Sequence, residues 1–332
     1  MVFALTALGT VGRVPGSEAR ATQASPAAGP APQVKPAADG VFDLFKQKQV
    51  VALGDVHSLA QEEAFHGALV RDPRFADQVG NVVVEFGGSG AQDTIDRYVK
   101  GEKVPVTELR HVWTDVVGWF PRPYFMGFIN FFPNVRAANM KLPRDRRIKV
   151  WLGDPGIDWS KIHDWRDCPS VVDRDPNFFR LISKEILDQH KKALLIVGAS
   201  HFRRLDTMIN GAYPNSTALV TTFFEPQCTA KITSAVQEWP SPAVIGPVAG
   251  TWLQSELRHP GCGFKYEFSN AILYLDPRYM LTMSPIDPNA YLDPDYCEQL
   301  NHRMQVCGPS VLDWDWFLHQ NSQAPKPYDG PL

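Results

Sequence analysis

Two apolar runs in this sequence end in a glycine, and a histidine follows three residues after each glycine. The first reads VVALGDVH (residues 50–57) and the second reads LLIVGASH (residues 194–201). A strand that is apolar at every position is buried on both faces, as in a parallel sheet covered by helices. The pattern predicts strands at residues 49–55, 81–87, 148–154, 193–199, 217–224 and 271–276.

Amphipathic stretches that resemble helices separate these strands, at residues 59–72, 91–101, 124–140 and 176–192. Pro133 should kink or divide the third of them. This alternation predicts an α/β fold for residues 41–276, with a central, mainly parallel sheet flanked by helices. After residue 276 the alternation stops. We expect residues 277–332, which are rich in turns and end in an aromatic segment around Trp314 and Trp316, to form an irregular extension packed on the sheet domain.

The N-terminal residues differ in composition from the rest. Residues 2–12 are apolar and uncharged. This stretch is too short for a helix that spans a bilayer, which needs roughly 20 residues, but it is long enough for the apolar region of a signal peptide. Ala19 and Ala21 have the spacing that a signal peptidase accepts, although no basic residue precedes Arg13. Residues 22–40 are rich in alanine and proline. We therefore interpret residues 1–40 as a signal-like segment and a disordered linker, and expect export to the periplasm or beyond, with a cytoplasmic location as the alternative.

The charged residues and the cysteines narrow the class of protein. A balance of 33 basic and 36 acidic residues gives a net charge of −3, without the basic excess of a nucleic-acid binder. We expect a small-molecule or peptide substrate, no nucleic acid and no transmembrane span.

The five cysteines allow disulfides. Cys228 and Cys262 could pair, and Cys297 and Cys307 lie ten residues apart, which leaves Cys168 over. One or two disulfides are expected if the protein is exported, and free thiols if it is cytosolic.

Polar residues stand where four of the predicted strands end. Ligands of open parallel sheets bind beyond the carboxyl ends of the strands. The residues placed there are Asp55, His57, Glu85, Asp154 and His201. A buried carboxylate such as Glu85 needs a compensating partner, for which Arg110 and Arg136 are candidates. We therefore predict one site at this edge of the sheet.

These motifs resemble a superfamily that includes the haem-uptake lipoprotein ChaN, the erythromycin esterases and the TIKI/TraB proteins. The resemblance rests on the two G-x-x-H motifs and Glu85, and on the segments DTIDRYVKG, VWTDVVGW and VRAANMKLP, within residues 48–225. It is strongest to the ChaN-like branch. Asp55 replaces the usual glutamate, no lipobox cysteine is present, and Ser58 replaces a glycine of the erythromycin esterases.

The resemblance implies a hydrolase, with two alternative chemistries. Without a metal, His57 would be the general base, Asp55 or Glu85 would orient it, and Arg136 or Arg110 would stabilise an oxyanion. With a metal, His57, His201 and either Glu85 or Asp154 would bind Zn, Mn, Co or Fe, and the ion would activate water. Both chemistries use the predicted edge of the sheet and both need His57, whereas Glu85 is one of two candidate carboxylates in each.

The ChaN-like branch also implies an alternative without turnover, the binding of haem or a metal. Candidate iron ligands are Tyr98, Tyr124, His57 and His66, and residues 124–132 could form an apolar wall for the haem. None of these candidates is marked by its spacing. The sequence therefore leaves hydrolysis and binding as open hypotheses, with a catalytically silent scaffold that keeps these residues for stability as a third.

Overall fold

The computed structural model describes residues 29–118, 124–169, 174–224, 228–262, 266 and 268–307. Eight strands form one sheet in the order β1-β7-β8-β6-β2-β5-β3-β4. Their bounds are β1 Gln33–Pro36, β2 Val50–Asp55, β3 Asn81–Gly88, β4 Lys149–Asp154, β5 Ala193–Gly198, β6 Thr217–Thr222, β7 Ala243–Gly246 and β8 Ala271–Tyr274.

All six predicted strands are present and run parallel to one another. This confirms the α/β fold with a mainly parallel sheet. The exception is β7, which pairs antiparallel with β1 and β8. The sequence pattern did not predict β1, which is a mostly exposed edge strand, or β7, which is a short apolar run between two prolines.

The interpretation of residues 1–40 as signal and linker is wrong at its C-terminal end. Residues 33–36 form the edge strand β1, whose Val34 pairs with Ile245 of β7. The helix α1 then begins at Ala37 and buries Val41 and Phe42. A segment rich in alanine and proline can therefore join the fold when a strand edge offers it backbone partners. The signal-like residues 1–28 lie outside the described part.

Helices cover both faces of the sheet. After α1 Ala37–Phe45 they are α2 Ala60–Arg71, α3 Phe75–Gln78, α4 Gln92–Val99, α5 Val106–Leu109, α6 His111–Thr114, α7 Met126–Asn139, α8 Asp175–Ile182, α9 Ala199–Ala212, α10 Ala230–Val236, α11 Trp252–Leu257, α12 Asn289–Leu292 and α13 Pro294–Cys307. Pro133 lies inside α7 but does not divide it. None of the described helices is both long and apolar enough to cross a bilayer.

The continuous apolar runs follow from this two-sided packing. In β2, Val51 and Leu53 join the core that includes α1, α2 and α7. The alternate residues Val50 and Ala52 join a second core, with α8 and α9 on the opposite face. Since neighbouring strand residues point to opposite faces, a strand covered on both sides must be apolar at every position.

The described part of the C-terminal extension is more helical than the sequence suggested, because α13 runs for 14 residues. A disulfide joins its last residue, Cys307, to Cys168. The second disulfide, Cys228–Cys262, is the pair that the sequence suggested. The expectation that Cys168 is left over is wrong, because Cys168 pairs with Cys307 and Cys297 is the free thiol. The aromatic residues around Trp314 lie outside the described part.

Candidate active site

The site lies where four adjacent strands end, in the order β2-β5-β3-β4. Because these strands are parallel neighbours, their carboxyl ends bring together segments of chain that are far apart in sequence. His57 follows β2, Glu85 lies in β3, and His201 lies in the first turn of α9, directly after β5. The structure thus brings the two G-x-x-H histidines and Glu85 to one edge of the sheet.

Asp55 holds the ring of His57. The Nδ1 atom of His57 lies 2.6 Å from Oδ2 of Asp55, and Asp55 is almost fully buried. Burial disfavours a charged imidazole, but the hydrogen bond to Asp55 and the charges of Asp55 and Glu85 outweigh it and raise the pKa of His57 to about 9. At neutral pH the positively charged form of the ring, with both nitrogens protonated, therefore predominates in this arrangement.

Glu85 is a buried carboxylate with two kinds of partner. Its Oε2 accepts a hydrogen bond from the backbone amide of Gly198, and its Oε1 lies 2.8 Å from Nη2 of Arg174. Burial alone would raise the pKa of Glu85, but the positive charges on His57 and Arg174 hold it below its usual value. Glu85 is therefore an anion fixed between the two strand ends.

Arg174 is the cation that compensates the buried carboxylates. Its Nη1 lies 3.0 Å from Oδ2 of Asp154 and its Nη2 lies 2.6 Å from Nε2 of His201. Because a guanidinium only donates hydrogen bonds, Nε2 of His201 accepts this one. The other ring nitrogen, Nδ1, then donates to Asp175 across 2.6 Å. Asp175 and His201 together hold Arg174 against Glu85.

A small cavity of about 10 Å³ opens between these groups and is lined by His57, Glu85, Phe86, Gly118, Tyr124, Phe128 and Arg174. This volume corresponds to about one water molecule. Gly198 forms part of the surroundings, because a methyl group there would lie 3.2 Å from the Glu85 carboxylate and 3.5 Å from Nε2 of His57. The functional ring nitrogen and the buried carboxylate therefore converge on one small space.

The metal site predicted from His57, His201, Glu85 and Asp154 is not formed. The guanidinium of Arg174 lies between Glu85, His201 and Asp154, at the position that an ion would need. Asp154 instead accepts hydrogen bonds from the backbone amides of Val117, Gly118 and Gly156. The residues thus fit a bound guanidinium and not a metal ion.

The two arginines suggested as partners of Glu85 lie elsewhere. The guanidinium of Arg136 donates to the carbonyl groups of residues 98, 101 and 102, beyond the end of α4. Arg110 is paired with Asp293 and lies over the ring of Tyr296. Sequence reasoning missed Arg174 and Asp175. Arg174 lies directly before α8 and Asp175 is the first residue of that helix, a position that gives little signal in the sequence.

The described residues around this cavity do not form a haem pocket. A drug-sized ligand needs roughly 300 Å³ or more, and the cavity holds about 10 Å³. The proposed apolar wall is core, since Phe128, Phe131 and Phe132 are buried. Tyr98 lies under Arg136, and His66 is buried within α2.

A second group of ionisable side chains lies behind His57. Asp55, Glu62 and His66 place ligand atoms within 4.8 Å of one another, so this buried group could hold a metal ion. Burial raises the pKa of Glu62 well above its usual value and lowers that of His66 to about 4. Burial also raises the pKa of the neighbouring Glu63 to about 8. The sequence analysis missed this group because Glu62 and His66 read as ordinary residues of a helix.

The fold and this edge define an α/β protein with a polar site at the carboxyl end of a mainly parallel sheet. No protein-family model matches the sequence, and no curated protein matches it. Among solved structures, that of the type III effector HopBA1 matches with a TM-score of 0.42 and 11% sequence identity, covering 75% of this chain and 99% of that one. A likeness at this level says nothing about activity.

Proposed function

We propose that this protein is a hydrolase that uses His57, Glu85 and Arg174 to activate one water molecule against an ester or peptide bond. The observation that carries the proposal is the single small cavity shared by these three side chains. An imidazole fixed by a carboxylate, beside a preformed cation, is the arrangement that acyl hydrolysis needs. The resemblance to the erythromycin esterases and TIKI proteins points the same way.

His57 transfers the protons in this mechanism. Asp55 fixes its ring through Nδ1, so Nε2 exchanges protons with the reactants. The reactive form is the neutral ring, which is the minor form at neutral pH: the attacking water bonds to the carbonyl carbon and gives one proton to Nε2 of His57. The ring then passes this proton to the departing oxygen or nitrogen. The bond to the leaving group breaks and His57 ends in its starting state.

Glu85 and Arg174 position the water and the anionic intermediate. The carboxylate of Glu85 accepts a hydrogen bond from the water, and the guanidinium of Arg174 faces the negative charge that develops on the carbonyl oxygen. Because Arg174 is already held by Asp154 and His201, it needs no reorganisation during the reaction. His201 and Asp175 are therefore positioning residues in this proposal.

A panel of ester, amide and phosphoester substrates tests this proposal. We expect turnover of at least one acyl substrate, and a loss of about 10²–10⁴-fold in kcat when His57 is replaced by alanine. His201→Ala should also lower kcat, since it releases Arg174. His111, an exposed histidine that pairs with Asp115 at 2.7 Å, supplies the matched control: His111→Ala should leave turnover unchanged. Equal turnover in wild type, His57→Ala and His201→Ala would refute the proposal.

We also propose that the protein is exported. The support comes from the two disulfides, Cys168–Cys307 and Cys228–Cys262, because such bonds persist in oxidising compartments and are rare in the cytosol. Thiol titration of protein recovered from its native cell under denaturing, alkylating conditions should find one free thiol per chain. Five free thiols would contradict export.

A further inference from the structure

We propose that Asp55, Glu62 and His66 bind one divalent transition-metal ion behind the candidate active site. The three residues come from two elements: Asp55 is the last residue of β2, and Glu62 and His66 are four residues apart on α2. Residues at this spacing lie on one face of a helix, here the face against the end of β2. The proposal does not depend on the hydrolase function, because it concerns a different set of atoms.

Two polar atoms in this group are buried without a hydrogen-bond partner in the described part of the chain. They are Oδ1 of Asp55 and Nε2 of His66, in residues that are 5% and 1% exposed. Buried polar atoms almost always have a partner. A metal ion between these two atoms would give each of them a partner. No described lysine or arginine plays this part.

The carboxyl groups of this cluster lack a lysine or arginine partner among the described residues. Asp55, Glu62 and the adjacent Glu63 are all buried, and among the described residues only His57, which lies within hydrogen-bond distance of Asp55, can carry a positive charge beside it. No described lysine or arginine forms an ion pair with any of the three carboxylates. A buried carboxyl group is paired with a cation, coordinates a metal ion or stays protonated, and the unpartnered atoms of Asp55 and His66 favour the metal ion here.

The ligand types favour a transition metal. One imidazole and two carboxylates suit Zn²⁺, Mn²⁺, Fe²⁺ or Co²⁺, whereas Ca²⁺ and Mg²⁺ prefer oxygen ligands alone. Metal–ligand bonds of about 2.1 Å place ligand atoms about 3.4 Å apart in a tetrahedral site. The group, whose atoms lie within 4.8 Å, would therefore contract slightly around the ion.

The surroundings indicate a structural ion. Glu62 is already held in place, since its Oε1 accepts from Thr222 on β6 and its Oε2 accepts from the backbone amide of Val56. All three ligands are buried, and closed sites of this kind stabilise folds. The ion would tie α2 to the ends of β2 and β6, directly behind the aspartate that holds His57.

Metal analysis of the purified full chain, followed by titration after chelation, tests this proposal. We expect one equivalent of Zn²⁺ or Mn²⁺ per chain and a lower Tm after chelation, restored by the ion. Co²⁺ should give visible absorption bands that change in Glu62→Gln and His66→Gln. Both variants should bind the ion at least about 100-fold more weakly than the wild type. This loss is larger than the 10–100-fold loss of affinity that follows when a residue that only hydrogen-bonds to a metal ligand is replaced.

Two control variants distinguish this site from others. His201→Gln and His111→Gln should keep the affinity of the wild type for the metal, because neither histidine belongs to the group.

The proposal would be overturned if the wild type, after a chelator has removed its metal, does not bind stoichiometric Zn²⁺, Mn²⁺ or Co²⁺. That result would indicate a proton shared between Asp55 and Glu62. Two other results would also overturn the proposal: a metal affinity that Glu62→Gln leaves unchanged, or metal binding that His201→Gln removes. If His66→Gln does not fold, Glu62→Gln, which keeps the side-chain shape, decides. None of these measurements needs a substrate, so their outcome is separate from that of the hydrolase proposal.

Discussion

The Nη2 atom of Arg174 lies 2.8 Å from Oε1 of Glu85, and both side chains are buried. Because Nη1 of Arg174 also lies 3.0 Å from Oδ2 of Asp154, this residue connects the ends of β3 and β4 although it belongs to neither strand. It also explains how a carboxylate can lie inside a strand without a metal ion. The arrangement makes the stability of the whole edge of the sheet depend on one guanidinium.

Replacing Arg174 should therefore strongly destabilise the fold. In Arg174→Gln, Glu85 and Asp154 lose their buried cation, and breaking such a pair costs about 3–5 kcal/mol. Arg146, whose ion pair with Asp77 is half exposed, is the matched control, and Arg146→Gln should change the free energy of unfolding by about 0–1 kcal/mol. Urea denaturation of both variants measures the difference, and similar small losses would show that Arg174 is not needed for compensation.

A methyl group at position 198 should damage the site. In Gly198→Ala it would lie 3.2 Å from the carboxylate of Glu85, a tight contact, and in ordinary contact with the ring of His57; overpacking costs about 1–3 kcal/mol. Gly211, in the last turn of α9, has open space around it. Gly211→Ala should therefore stabilise the protein by up to about 1 kcal/mol. Thermal unfolding checks both variants, and a Gly198→Ala protein as stable as Gly211→Ala would contradict the packing described here.

Asp154 should matter for the segment around Gly118 as well as for Arg174. Its carboxylate accepts from three backbone amides, so Asp154→Ala leaves buried donors unpaired, at about 1–3 kcal/mol each. Asp158, which caps an exposed turn through Ser160, is the control, and Asp158→Ala should cost less stability than Asp154→Ala. Hydrogen exchange at the amides of residues 117 and 118 should accelerate in Asp154→Ala alone. Unchanged exchange there would show that other contacts hold this segment.

The two disulfides should contribute unequally to the free energy of unfolding. Cys168–Cys307 spans 139 residues and Cys228–Cys262 spans 34. Since the entropy that a cross-link removes from the unfolded chain grows with loop length, the longer one should contribute about 1 kcal/mol more. Chemical denaturation of the two double serine variants tests this, with Cys297→Ser as a control. A larger loss from the shorter loop would contradict this prediction.

The sheet and its polar edge were predictable because they depend on local sequence patterns. Continuous apolar runs identify strands buried on both faces, and parallel strands must end at the same edge, so the convergence of His57, Glu85 and His201 follows. Arg174 could not be found in this way, because its role depends on where α8 packs. The edge strand β1 and the Asp55, Glu62 and His66 group were missed for a similar reason, since tertiary contacts alone distinguish them from linker and ordinary helix.

The central claim is that His57 and Glu85 act as one unit on a single water molecule. The most direct test compares kcat for His57→Gln, Glu85→Gln and the double variant on a substrate that the wild type hydrolyses. Because residues that act as a unit are non-additive, we predict that the double variant is about as slow as the slower single variant. Losses that multiply, or a His57→Gln protein as fast as the wild type, would contradict the claim.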